Sequence, residues 1–109
     1  MPYDHELAAR IRTVVADEPG LTEKRMFGGV AFLINGNMAV AASSQGGLLL
    51  RVEPERTDAL IREARAARAV MRGREMAGWL RVDTQDITAA AMQRWIGEGL
   101  SYARSLPPK

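Results

Sequence analysis

Two apolar, β-prone runs, Val30 to Ile34 and Asn37 to Ala42, are separated only by Asn35-Gly36. A two-residue connection between antiparallel strands favours a type I′ turn, which needs positive φ at both central residues, and Asn-Gly adopts it at least cost. The stretch therefore reads as a β-hairpin. Just upstream, Gly28-Gly29 separates Arg25-Met26-Phe27 from it and permits a bulge or a sharp bend. Three consecutive antiparallel strands are expected. In the register set by a two-residue loop, Ile34 faces Asn37, Leu33 faces Met38, Phe32 faces Ala39 and Ala31 faces Val40. One face then carries Ala31, Leu33, Met38 and Val40, and the other Val30, Phe32, Ile34, Ala39 and Ala41. Both are apolar, whereas an antiparallel sheet with one solvated face alternates. Either helices cover part of both faces, or one face docks on a partner.

The rest of the chain supplies the cover. Residues 4 to 18 read as an amphipathic helix, with Asp4 as N-cap, Leu7, Ala8, Ile11, Val14 and Val15 on one face, and Pro19-Gly20 as the stop. Ser43 to Gly47 is a turn and Leu48 to Val52 a fourth strand. Pro54 opens a second helix that runs to about Ala66 or Ala67, with Leu60, Ile61 and Ala64 as its buried stripe and Asp58 spaced to pair with Arg62. Ala69 to Met71 is a short strand, Arg72 to Glu75 a turn and Gly78 to Val82 a strand. Thr88 caps a last helix to about Ser105, with Ala91, Trp95, Ile96, Leu100 and Ala103 as its stripe. Gly97 and Gly99 weaken that helix, and close approach to the sheet is the usual return. With no βαβ repeat, the order implies an α+β two-layer domain: an antiparallel sheet with three helices packed mainly on one side.

A length of 109 residues suits one domain spanning 1–109. The absence of cysteine removes disulfides and thiolate metal sites and suits a reducing cytoplasm. No apolar run approaches the ~18 residues of a membrane span, and the N-terminus has no signal-peptide pattern. The pI of about 9.5 overstates a net charge of only +2, because with one histidine little titrates near neutrality.

Catalytic groupings are scarce. His5 is the only histidine and sits in a first helical turn, so neither a multi-histidine metal site nor a serine triad can be assembled. No phosphate-loop or dinucleotide fingerprint occurs. The expectation is a non-enzymatic protein without cofactor, metal or membrane. Charge concentrates at Arg62, Arg65, Arg68, Arg72 and Arg74, with Glu63 and Glu75 interleaved; Arg25, Arg51 and Arg81 would extend it, with Trp79 as a stacking surface for bases. The plainer reading is solvated arginines partly paired with acids, and tryptophans at the core or its edge.

Thr22-Glu-Lys-Arg-Met-Phe-Gly-Gly29, Asn35-Gly-Asn-Met38, Leu50-Arg-Val52, Gly73-Arg-x-Met-x-Gly-Trp79 and Gly99-Leu-Ser-Tyr-Ala-Arg-Ser-Leu-Pro-Pro108 together resemble the TfoX N-terminal domain family, named after a regulator of bacterial competence. The resemblance implies a helix, a five-stranded antiparallel sheet and two further helices, similar to secretion-chaperone-like domains. It also implies a regulatory role linked to competence-like genes, although the family's activators carry a second domain for which this chain has no room. Glu75 stands where proline is common, and Arg68 to Met71 lacks the aromatics often seen there. The resulting expectation is a cytoplasmic regulatory module acting by contact with a protein partner or as a homodimer. Arg25, Met26, Phe27, Gly28, Gly29, Asn35 and Gly36 form its structural or interaction motif, in which Arg25, Phe27, Gly28 and Gly29 are expected to be more structural than functional. Nucleic-acid binding through Arg62, Arg65, Arg68, Arg72, Arg74, Trp79 and Arg81 is the alternative.

Overall fold

Asn35 and Gly36 take φ of 51° and 86° and join two strands, β2 (Gly29–Ile34) and β3 (Asn37–Ala42), as the turn chemistry requires. The computed structural model describes residues 5–26, 29–43, 46–62, 65–71 and 73–108, and the backbone alone at 26, 71 and 75–77. Phe27, Gly28 and Arg72 lie outside the described residues, as do Asp4 of the expected cap, Ser44 and Gln45 of the expected turn, and Ala64 of the expected stripe.

The order is α1 (His5–Val15), β1 (Leu21–Met26), β2, β3, β4 (Leu48–Arg51), a 3-10 turn (Pro54–Arg56) running into α2 (Thr57–Leu60), β5 (Ala66–Met71), β6 (Arg74–Val82) and α3 (Ala89–Ser105). All neighbours in the sheet, β1-β2-β3-β4-β6-β5, are antiparallel. The fold is α+β, with three helices and six strands rather than about five. No helix among the described residues is long and apolar enough to cross a membrane.

The strand count changed because the second helix is short. It was expected to reach Ala66 or Ala67 and ends at Leu60, while β5 starts at Ala66 rather than Ala69. Ala66 pairs with Val82 and Ala67 with Arg81, so ladder hydrogen bonds override the helix preference of an alanine-rich segment. β6 likewise begins at Arg74, within the expected turn, because Arg74 pairs with Met71. Asp58 is bonded to Arg68 rather than to Arg62, because β5 brings Arg68 alongside α2. The first helix stops at Val15, three residues short of expectation, and Glu18 N donates to Val15 O at 2.9 Å in the turn beyond it.

The hairpin register also departs from the sequence reading. Leu33 faces Met38, but Phe32 then faces Val40 rather than Ala39, and Ala31 faces Ala41. Ala39 is the extra residue of a bulge. Val40 therefore joins the face of Phe32, and Ala41 the opposite one. The bulge lies where α3 crosses the strand: a Cβ on Gly99 would stand 2.3 Å from the Ala39 carbonyl oxygen. Gly97 makes no such approach, with nothing within 4 Å of its Cβ position.

One sheet face carries Val30, Phe32, Ile34, Leu48, Leu50 and Leu80 against Leu7, Ile11 and Val15 of α1 and Met92, Trp95 and Ile96 of α3. Thr88 caps α3 by accepting from Ala91 N at 3.1 Å. The other face carries Ala31, Leu33, Met38, Ala41 and Leu49, exposed by 6% at most, and Ala69 of β5 belongs to the same cluster with Trp79 packed against it. β6, with Trp79, stands between β5 and β4 in the sheet order. The β5–β6 pairing jumps from Arg68↔Leu80 to Ala69↔Met76, an irregularity in the ladder next to Ala69. Of the two readings of the doubly apolar hairpin, burial within the chain is the one observed. Each large side chain buried there contributes roughly 1.5–3 kcal/mol.

Candidate functional site

β5 and the loop after β6 decide where the arginines go. Arg65, half-buried just before β5, donates from Nη1 to two carbonyls, Asp83 O at 3.1 Å and Gln85 O at 2.6 Å. Asp83 N donates back to Arg65 O at 2.9 Å. Arg65 therefore clamps the segment that leaves β6. Arg81 stands opposite Leu49 and Ala67, on the face away from the helices, and its Nη2 donates to Gly46 O at 3.2 Å. The two arginines line one open cleft of about 420 Å3, with Gly46, Gly47, Ala67 and Asp83 around them.

The other described members of the arginine run, Arg62, Arg68 and Arg74, are not among the residues that line this cleft. Arg68 stands opposite Leu80, a residue of the helix-side core, and pairs with Asp58. Strand alternation thus sends Arg68 and Arg81 to opposite faces. Arg62 is exposed in the turn after α2 and Arg74 is exposed at the start of β6. Trp79 is half-buried, with the Arg51 guanidinium 5.7 Å from its ring centre and equally 5.7 Å from that of Tyr102 on α3. Such contacts are worth about 0.5–1 kcal/mol each near the surface. Trp95 is core, 1% exposed.

Among the motif residues, Arg25 is exposed on β1 opposite Val30, and Gly29 opens β2 opposite Met26. Asn35 and Gly36 make the hairpin turn, which is tied down by Asn35 N donating to Gly20 O at 3.0 Å. His5 is exposed in the first turn of α1. Among the described residues, no group of three or more His, Cys, Asp or Glu could hold a metal ion.

The sequence reading missed a difference between the two sheet edges. On β1, the consecutive residues Thr22, Glu23, Lys24 and Arg25 are all exposed. Charge of this kind keeps other strands from adding to an edge. The edge strand β5 reads Ala-Ala-Arg-Ala-Val-Met, and its one charge, Arg68, is engaged by Asp58. Val70 is 58% exposed, the one exposed large hydrophobic among the described residues. The signal was present in the composition of 66–71, but reading those residues partly as helix concealed it.

The sequence profile described as TfoX N-terminal domain matches residues 13–103 of the chain. No curated protein and no solved structure matches it.

Proposed function

The chain belongs to the TfoX N-terminal domain family, and we propose that it is a cytoplasmic, non-enzymatic regulatory module that works by protein contact, pairing through β5 with a second copy of itself. The family supports a competence-regulator-like module. The observation that carries the finer reading is the β5 edge: among the described residues no strand neighbours it on its outer side, and it exposes Val70. An antiparallel two-fold centred on Ala69 would set Ala69 against Ala69 of the partner copy. It would place Arg68 of each copy beside Val70 of the other, so like charges do not oppose one another. Backbone bonds along an edge supply affinity, and alternate side chains supply specificity.

Sedimentation equilibrium over a concentration series tests this. A monomer–dimer equilibrium is expected in the wild type and its loss is expected in Val70→Lys, with unchanged far-UV circular dichroism. A wild type that stays monomeric throughout, or a Val70→Lys variant that dimerises as the wild type does, overturns the reading.

A further inference from the structure

We propose that the cleft between Arg65 and Arg81 is a binding site for a small phosphomonoester, with the phosphate held between the two guanidiniums. The proposal does not rest on the β5 pairing, although Ala67 of β5 lies at both places. Arg65 spends both hydrogens of Nη1 on the carbonyls of Asp83 and Gln85. Its Nε and Nη2 make no further bond among the described residues. That remaining edge is the fork that grips an oxyanion bidentately. The two carbonyls also hold the guanidinium plane in place, so little freedom is lost when a ligand arrives. Arg81 is anchored to the opposite wall through Gly46 O.

That wall depends on Gly47. A Cβ there would meet the Val82 carbonyl oxygen at 2.6 Å, so only glycine lets the β3–β4 turn close against the end of β6. The cleft, at about 420 Å3, exceeds a lone phosphate and falls within the usual range for small-molecule sites. Asp83, the one carboxylate among the described residues that line it, has Oδ1 accepting from Gln85 N at 2.9 Å. Asp83 sets the sign of selectivity: it weakens the hold on any anion and offers an acceptor to a ligand hydroxyl. Arg68 stands on the other face of the sheet, so it adds nothing to this pair.

The test is a titration of the full chain with adenosine 5′-monophosphate, glucose 6-phosphate and inorganic phosphate at fixed ionic strength. Adenosine is the control, and binding is read from amide shifts of Gly46, Gly47 and Asp83 and from the Nε–H signals of the arginines. Saturable shifts are expected with the phosphates and none with adenosine. Arg81→Gln should weaken binding by about tenfold or more, and Asp83→Asn should tighten it. The Asp83→Asn arm stands even if Arg81→Gln fails to fold, and a merely structural role for the clamp predicts no tightening. Absence of saturation with every phosphate, equal binding of adenosine, or unchanged affinity in Asp83→Asn overturns the proposal.

Discussion

Gly99 of α3 and Ala39 of β3 come so close that a Cβ on Gly99 would lie 2.3 Å from the Ala39 carbonyl oxygen and 3.1 Å from its carbonyl carbon. The obstacle is backbone at a bulge, which cannot swing aside as a side-chain end can. Gly99→Ala therefore forces the helix off the sheet or distorts the bulge, at a cost of roughly 1–3 kcal/mol. Gly97, two residues earlier, has open space at its Cβ position. Gly97→Ala should gain about 1 kcal/mol from helix propensity alone. Urea unfolding of the two variants should shift the midpoint in opposite directions. The same sign in both would mean that α3 does not seat on Ala39.

Thr57 links the start of α2 to the irregular stretch of β6. It is 2% exposed, and its Oγ1 accepts from the buried amide of Gly78 at 3.1 Å. That amide lies in the stretch of β6 that has lost its partners on β5, between Met76 and Leu80. Thr57→Val keeps the shape and leaves the Gly78 N–H without an acceptor. The expected cost is about 1–3 kcal/mol by denaturant unfolding. Thr57→Ser keeps the oxygen and should cost well under half as much. Equal losses in the two variants would assign the effect to the methyl group instead.

The pairing of Arg12 with Glu23 carries a pH dependence. Arg12 donates from Nε to Oε1 at 2.7 Å and from Nη2 to Oε2 at 3.0 Å. This bonding holds the Glu23 carboxyl below its usual range; partial burial acts against it, and the Arg12 charge adds to the lowering. A carboxyl whose folded pKa is depressed contributes stability above its unfolded pKa and loses it as pH falls through the folded value. Both side chains are more than a third exposed, so the contribution is under about 1 kcal/mol and is screened by salt. Glu23→Gln should lower the unfolding free energy slightly near neutrality, and the difference should vanish once wild-type Glu23 is protonated. A difference that persists below that range would point to packing, not charge.

What was legible in the sequence is what neighbouring residues decide among themselves. Asn35-Gly36 fixes its own turn, Thr88 caps its own helix, and the 3.6-residue stripes of α1 and α3 mark their own buried faces. Ala39 was not legible as a bulge, because the element packed there is Gly99 of α3, sixty residues along the chain. Ala66 to Met71 was not legible as a full strand, because alanines and a lone arginine suit helix or strand until Val82 and Arg81 are set beside them. The arginines show the same limit. Asp58 could be assigned only to an arginine on its own helix, and it took Arg68 because β5 runs past α2. Nothing local marks Arg65 and Arg81 as neighbours; they meet because antiparallel pairing sets Ala67 opposite Arg81, two residues beyond Arg65.

Asn37 is the last case in which position decides the energetics. It is 1% exposed at the first residue of β3, and its Nδ2 donates to the Pro107 carbonyl at 2.9 Å. The side chain thereby ties the segment after α3 to the hairpin. Asn37→Ala removes the donor and leaves a void, with an expected loss of about 1–3 kcal/mol. Asn37→Asp is the sharper probe, since a carboxylate there would present lone pairs to a carbonyl oxygen in a buried site. Burial raises the pKa of such a carboxyl above its unfolded value of about 3.9. Its folded form then binds protons more tightly, so the penalty is small below that value and grows as pH rises through the folded pKa. Unfolding followed from about pH 3 to neutrality should show Asn37→Asp approaching wild type in acid and falling furthest behind near pH 7. A gap independent of pH would mean that the tail lifts away and water reaches the site.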